Sequence, residues 1–182
     1  SIPNFVGLTS PKVLDFLADK LSQLEVKKVL SPTKDKLETL GQLLAHLSSK
    51  NGIVFCNFKD SIERVSDYLN EQGISHGVFS GGMEQVDRER ALIKFRNGTH
   101  PLLLATDLAA RGIDVPELDF IIHYHLPQRA EEFIHRNGRT ARMNSQGTAY
   151  ILQYEKEPLP DFVGNPNLVK LHPTSPPVPS AW

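Results

Sequence analysis

One cysteine, two methionines and one tryptophan are all that this 182-residue chain holds of those residue types. A lone Cys56 excludes a disulfide framework and fits a reducing compartment, the cytosol first and the nucleus second. No apolar run is long enough to cross a bilayer, and the opening "SIPNFVGLTSP" has no charged leader ahead of an apolar stretch, so neither a membrane segment nor a signal peptide is expected. Charge of one sign is missing too: 20 Lys and Arg stand against 21 Asp and Glu, a net charge of −1. That excludes a generally basic coat, so any contact with nucleic acid or nucleotide must come from a local patch. No internal repeat divides the chain, and its length is enough for one sizeable core.

What is present is an alternation of short β-branched apolar runs with longer amphipathic ones, the pattern of a parallel α/β sheet. The strands are expected at 26–30, 52–57, 76–80, 101–107, 120–126 and 147–153. Helices fill the gaps. Leu37, Leu40, Leu44 and Leu47 recur at helical spacing, a second helix opens near Asp60 as its cap and stops at Gly73, a third ends at Gly98, and "RAEEFIHR" supplies a fourth. The first 24 residues hold a further candidate helix, "SPKVLDFLADKLSQL", and the Pro- and Ser-rich end "HPTSPPVPSAW" reads as an extended tail. The expected organisation is an extension or linker over 1–25, one domain over 26–157 and a tail over 158–182.

Ligands of open parallel sheets bind beyond the carboxyl ends of the strands, and three stretches there carry chemistry. "ATDLAARGIDVP" sets Thr106, Asp107, Arg111 and Asp114 within a few residues; its plain reading is a loop of caps and ion pairs, with Asp107 as an N-cap and Arg111 beside Asp114. "GGMEQVDRER" opens a helix with Gln85 and Arg88 three apart, where Glu84, Asp87 and Glu89 offer ordinary surface partners. "HRNGRTAR" spaces Arg136, Arg139 and Arg142 by three, which on one helix would crowd three guanidinium groups onto a broad face. No Asp or Glu occurs between Phe133 and Tyr154, so the counter-charge must come from elsewhere in the fold or from a ligand, for which phosphate is the natural candidate.

In their order and spacing, "IVFCN", "GGMEQVDRER", "LLLATDLAARGIDVPELDFIIHYHLP" and "EEFIHRNGRTAR" resemble the successive motifs of the C-terminal RecA-like domain of DEAD-box ATP-dependent RNA helicases, over roughly Val26 to Gln153. The resemblance implies a RecA-like open parallel sheet with helices on both faces. It also implies that Arg139 and Arg142 act as arginine fingers on the ATP γ-phosphate and that Asp114 contacts the ribose. By the same resemblance, Arg111 and His135 couple the nucleotide site to the RNA site, and Thr106, Gln85 and Arg88, with the Gly82 amide beside them, meet the RNA sugar-phosphate backbone. Arg136 is left to packing or to a carboxylate pair. Ala141 stands where the family has glycine, "MNSQ" precedes Gly147, and "FSGG" replaces the family's His-Gly-Asp. Alanine is the better helix former by up to about 1 kcal/mol, which stiffens the finger helix without abolishing it.

The chain contains no G-x-x-x-x-G-K-[ST] loop and neither "DEAD" nor "SAT". ATP and magnesium are therefore expected to be held mainly by an N-terminal RecA-like domain of the same protein, and this chain alone is expected to be inactive. A start at Ser1 agrees with a piece of a longer protein. The expected partners are that domain and single-stranded or duplex RNA, with no membrane, on a monomeric domain in the cytoplasm. Two other chemistries fall away: a cysteine phosphatase needs arginine six residues after Cys56, where Ile62 stands, and a metal site on His123 and His125 lacks a third ligand nearby. The alternatives that remain are a non-catalytic RNA- or partner-binding scaffold of the same fold and half of a related DNA helicase.

Overall fold

The computed structural model describes residues 24–115, 117–140 and 147–171. The helix expected in the first 24 residues, the end from 172, Ala141 and Arg142 fall outside that description. Six strands lie where alternation and β-branching put them: β1 Glu25–Ser31, β2 Gly52–Phe55, β3 Gly77–Phe79, β4 Leu102–Ala105, β5 Phe120–His123 and β6 Thr148–Tyr154. A seventh, β7 Asn167–Leu168, was not expected. It pairs with β1, and Val163 packs with Phe133 and Ile151, so the packed unit continues past the expected boundary at Glu157. Two residues of exposed edge strand carry little sequence signal, because nothing in them alternates between core and solvent.

All pairings are parallel, in the order β3-β4-β2-β5-β6-β1-β7. The sheet is covered on both faces, and the strand sequences say why. Val54, Leu102, Leu104 and Ile122 point into one buried cluster, while their neighbours Ile53, Leu103, Ala105 and Ile121 point into another. A continuous apolar run with period two therefore feeds two cores at once. Helices α1 (Leu37–His46) and α2 (Lys59–Glu71) close the first core with Leu40, Leu44, Ile62, Val65 and Leu69. The second is closed by α3 (Gln85–Arg96) through Phe95 and by the four-residue α4 (Asp107–Ala110) through Ala109 and Ala110. Each Leu, Ile, Val or Phe among them contributes on the order of 1.5–3 kcal/mol when fully buried. Helix α5 (Ala130–Asn137) packs through Phe133.

Two expected caps are absent. Phe58 holds the N-cap position of α2 without a side-chain bond, while Asp60 lies in the first turn, where a carboxylate still favours the positive end of the helix. At α4 the cap is Thr106, whose Oγ1 accepts from the Ala109 amide at 3.4 Å; Asp107 is used elsewhere. Beyond β5 and β6, buried Lys36 adopts a left-handed backbone (φ 61°) and extends Nζ to the carbonyls of Tyr124 (3.3 Å) and Leu152 (2.9 Å) and to Glu157 (3.1 Å). All three ammonium protons are thus spent on tying two strand ends together.

The chain builds β4 and β3 on one side of β2, then β5 and β6 on the other. The order reverses at β2, and the carboxyl ends of β4, β2 and β5 meet at the crevice where such sheets bind ligands.

Candidate functional site

Arg136 is the centre of that crevice, and it is buried, with 1% of its surface exposed. Its Nε and Nη2 clasp Asp107 in a fork, each at 2.7 Å; Nη2 also donates to Asn57 Oδ1 (2.6 Å), and Nη1 to the His125 carbonyl (2.8 Å) and His123 Nδ1 (3.3 Å). These bonds use all five guanidinium donors. Asp107 follows β4, Asn57 follows β2 and His125 follows β5, so one side chain from α5 binds the ends of three adjacent strands. The guanidinium lies 5.2 Å from the centre of the Phe55 ring, which gives its open face a cation–π partner. Here is the counter-charge that the local sequence lacks: a single carboxylate 29 residues upstream.

The neighbouring groups are held neutral to suit. Burial first, then the Arg136 charge, pushes His123 down to about 3, against a bond to Asn137 that raises it. Because Nδ1 accepts from Arg136, the ring proton sits on Nε2 and is donated to Asn137 Oδ1 (2.7 Å), which anchors the end of α5. His125 is lowered to about 4 by burial, with Lys36 and Arg136 adding to it, and its Nδ1 accepts the Asn57 amide (3.1 Å). Burial pushes the Cys56 thiol up to about 12, so it is an inert core group. Neither histidine belongs to any group of three possible metal ligands among the described residues.

Arg139 leaves the shared face on which Arg136 would have crowded it. Its Nη1 and Nη2 donate to the carbonyls of Ile113 and Ala110, both at 2.8 Å, at the wall of a cavity of about 390 Å³. Arg111, Glu132, His135 and Gly138 line the same cavity, over Phe55 and the Arg136–Asp107 pair. The loop that supplies Arg111 turns at Gly112 with φ 79°, a conformation that favours glycine. Burial lowers the pKa of His135, with Arg111 and Arg139 adding to it against Glu131 and Asp107, which favours the neutral ring. Asp114 is exposed on that loop and does not line the cavity; its carbonyl accepts from Arg96 Nε (2.8 Å). Just past Arg139, Thr140 Oγ1 donates to the Leu118 carbonyl (2.8 Å), and Gly147 passes so close to Thr140 that an added Cβ would lie 2.1 Å from its carbonyl oxygen. Only glycine fits at the start of β6.

The remaining expected residues form a rim at the carboxyl ends of β3 and β4. Ala105 is in register with Phe79 on one side and Phe55 on the other, so Thr106 and the Ser80–Gly82 turn leave neighbouring strands. Gln85 and Arg88 do share a face, since Arg88 Nη2 donates to Gln85 Oε1 (2.6 Å); Gln85 passes its own amide to Glu89 (3.1 Å). Arg88 lies 5.9 Å from the Phe79 ring centre, and its Nε is shielded from solvent without a partner among the described residues. Asn57, Phe55 and Glu132 in the crevice, and Lys59, whose ammonium lies against Gly82, are additions that the sequence did not single out. Asn57 carried a signal, as the polar residue ending the "IVFCN" run; the others declare themselves only once the strands are side by side.

Residues 35–144 match the model of the helicase conserved C-terminal domain, which covers most of the clasp, the cavity and the rim. The chain belongs to that family. It is a C-terminal helicase domain of the DEAD-box type. This helicase domain is 38% identical over 131 residues to the ATP-dependent RNA helicase DbpA of Escherichia coli (strain K12), covering 72% of this chain and 29% of that protein. It superposes on a DEAD box protein of the hyperthermophile Methanococcus jannaschii with a TM-score of 0.69 at 31% identity, covering 81% of this chain and 44% of that one. On the C-terminal domain of the DEAD-box protein Dbp5 the TM-score is 0.68 at 25% identity, with 75% and 79% covered. The helicase domain thus spans between 22% and 34% of the length of relatives such as DbpA, the mak-5 helicase of Neurospora crassa and CshB of Bacillus subtilis.

Proposed function

We propose that this chain is the C-terminal half of an ATP-dependent RNA helicase, an ATP hydrolase when joined to its N-terminal RecA-like domain, and that it supplies arginine fingers to ATP and part of a single-stranded RNA backbone site. The observation that carries the reading is the saturated clasp of Arg136. With its charge met by Asp107 and its donors spent, Arg136 is scaffold, while Arg139, on the wall of the same cavity, gives its Nη1 and Nη2 only to neutral carbonyls. A guanidinium whose charge is met by neutral carbonyls fits the outer phosphates of a nucleotide. The sequence holds no phosphate-cradling loop and neither "DEAD" nor "SAT". ATP and magnesium are accordingly assigned mainly to the N-terminal domain.

ATP, when bound, supplies a phosphoanhydride whose cleavage spreads negative charge over the transferred phosphate. Arg139 is held ready by two neutral carbonyls; exchanging them for anionic oxygens is favourable, since charge-assisted hydrogen bonds are roughly twice as strong. Arg142 is the second finger by resemblance, Asp114 the ribose contact, and Arg111 and His135 the link between the nucleotide and RNA sites. With its pKa lowered chiefly by burial, His135 can offer a hydrogen bond there in its favoured neutral form. Thr106, Gln85, Arg88 and the Gly82 amide hold the strand by its sugar-phosphate backbone, which conveys little base information. The cellular setting proposed is the cytoplasm, and the domain by itself is proposed to be monomeric.

In the two-domain protein, Arg139→Ala should slow single-turnover hydrolysis at saturating RNA by on the order of a thousandfold, while ATP affinity changes far less. The 182-residue chain alone should show no RNA-stimulated turnover. Hydrolysis near wild type per folded Arg139→Ala molecule would sink the finger assignment and favour the non-catalytic scaffold; stimulation by DNA in place of RNA would favour the DNA helicase.

A further inference from the structure

Phe58 is 61% exposed, and it stands in an unusual place for a large apolar ring: the first turn after β2, beside the crevice. Exposed apolar residues taken singly are ordinary. This one is braced. The His125 ring meets it edge-on at 5.9 Å between centres, and His125 is itself fixed by the Asn57 amide on Nδ1. Held well below neutral pH in its titration, His125 is an uncharged support there. The residue after Phe58 points to the company it keeps: the Lys59 ammonium lies so close to Gly82 that a Cβ added there would sit 2.2 Å from Nζ. Phe58, Thr106 and Gly82 follow β2, β4 and β3, which are consecutive in the sheet and whose ends span roughly 10 Å; the Phe58 ring rests on His125, on the β5 side of β2.

A fixed aromatic plate next to cations and backbone amides is the combination that holds single-stranded nucleic acid. The cations track the phosphates, and the ring takes the face of a base. The rim of Thr106, Gly82, Gln85 and Arg88 supplies only the first half of that chemistry. We propose that Phe58 is the stacking platform for one unpaired base of the strand whose backbone crosses this rim. The proposal rests on the RNA reading of the rim. Every base has a π-face, so the contact adds affinity with little preference for sequence.

The test measures binding of two labelled strands of equal length to the 182-residue chain: a single-stranded RNA and a ribose-phosphate strand without bases. Phe58→Ala should weaken the RNA by roughly five- to hundredfold and leave the base-free strand unchanged. Phe58→Trp should keep the RNA affinity, and its added fluorescence should be quenched by the RNA and not by the base-free strand. Arg88→Ala should weaken both strands alike. If Phe58→Ala costs nothing, or costs the same on both strands, while Arg88→Ala still weakens both, the platform is wrong and the RNA reading stands. If the wild-type chain binds neither strand, or Arg88→Ala changes neither, the rim is no RNA site and the platform falls with it.

Discussion

Arg136 and Arg88 both lie at the carboxyl side of the sheet, yet they are built in opposite ways. Arg136 is buried, all five of its donors are engaged, a carboxylate faces it in a fork, and an aromatic ring covers one face. Arg88 is half-exposed; its Nη2 bonds a neutral neighbour, Gln85, and its Nε has no partner among the described residues. A charge fully satisfied inside the fold has nothing left to offer a ligand; a charge left short is available. The difference teaches that residue type is a poor guide to function in an arginine-rich motif. What decides is how many donors the fold has already consumed.

The sharpest way to break this contrast is to remove the Arg136 counter-charge. Asp107→Ala would leave a guanidinium buried without a compensating charge, and should destabilise the domain by about 3–5 kcal/mol in denaturant unfolding. Arg139→Ala should stay within about 2 kcal/mol, because Arg139 and Ala110 line a cavity that water can enter and the two bonds lost go to neutral carbonyls. Equal losses for the two variants would mean that the clasp does not hold the strand ends, and the separation of scaffold arginine from ligand arginine would collapse.

The same region should give the fold its sensitivity to acid. His123 takes up a proton near 6.5 when unfolded and only near 3 when folded, so the unfolded chain binds more protons between those values. The stability it contributes is complete above about pH 6.5 and is lost as pH falls towards 3, with a limiting slope of about 1.4 kcal/mol per pH unit. His125, lowered to about 4, acts in the same direction. Unfolding midpoints at stepped pH should show this decline, and in the folded chain the His123 ring should stay neutral by NMR through the pH range around 6.5 where a free imidazole titrates. A ring titrating near 6.5 in the folded chain would refute the neutral, Arg136-accepting histidine.

Sequence legibility follows the same division. Strands such as 52–57 and 101–107 were readable because burial on both faces demands unbroken apolar runs, and helices α2 and α3 end at Glu71 and Arg96, just before Gly73 and Gly98 as expected. The family could be read from motif order. What could not be read is partnership across long separations: Asp107 looks like a cap from its position after a strand, and only the pairing of β4 with β2 and the packing of α5 turn it towards Arg136. Spacing by three suggested one crowded arginine face, but the buried bonds to Asp107 and Asn57 draw Arg136 inward, and the α4 loop carbonyls take Arg139 another way. Phe58 gave no signal at all, since exposure is a property of the fold.

The smallest effect on folding belongs to the rim, and there the readout moves to binding. Arg88→Ala removes a half-exposed side chain with one bond to Gln85 and a distant contact with Phe79, so unfolding stability should change by no more than about 0.5 kcal/mol. If Arg88 neutralises one phosphate, the variant should bind all single strands more weakly and alike, and the slope of log affinity against log salt should become shallower by about 0.7. Arg88→Lys separates charge from geometry: a point charge preserves the salt slope, while losing the planar fork that reaches Gln85 and the strand together lowers affinity. An unchanged slope in Arg88→Ala, measured on the intact fold, would make Arg88 one more satisfied surface charge, and the contrast with Arg136 would then be one of burial without any difference in function.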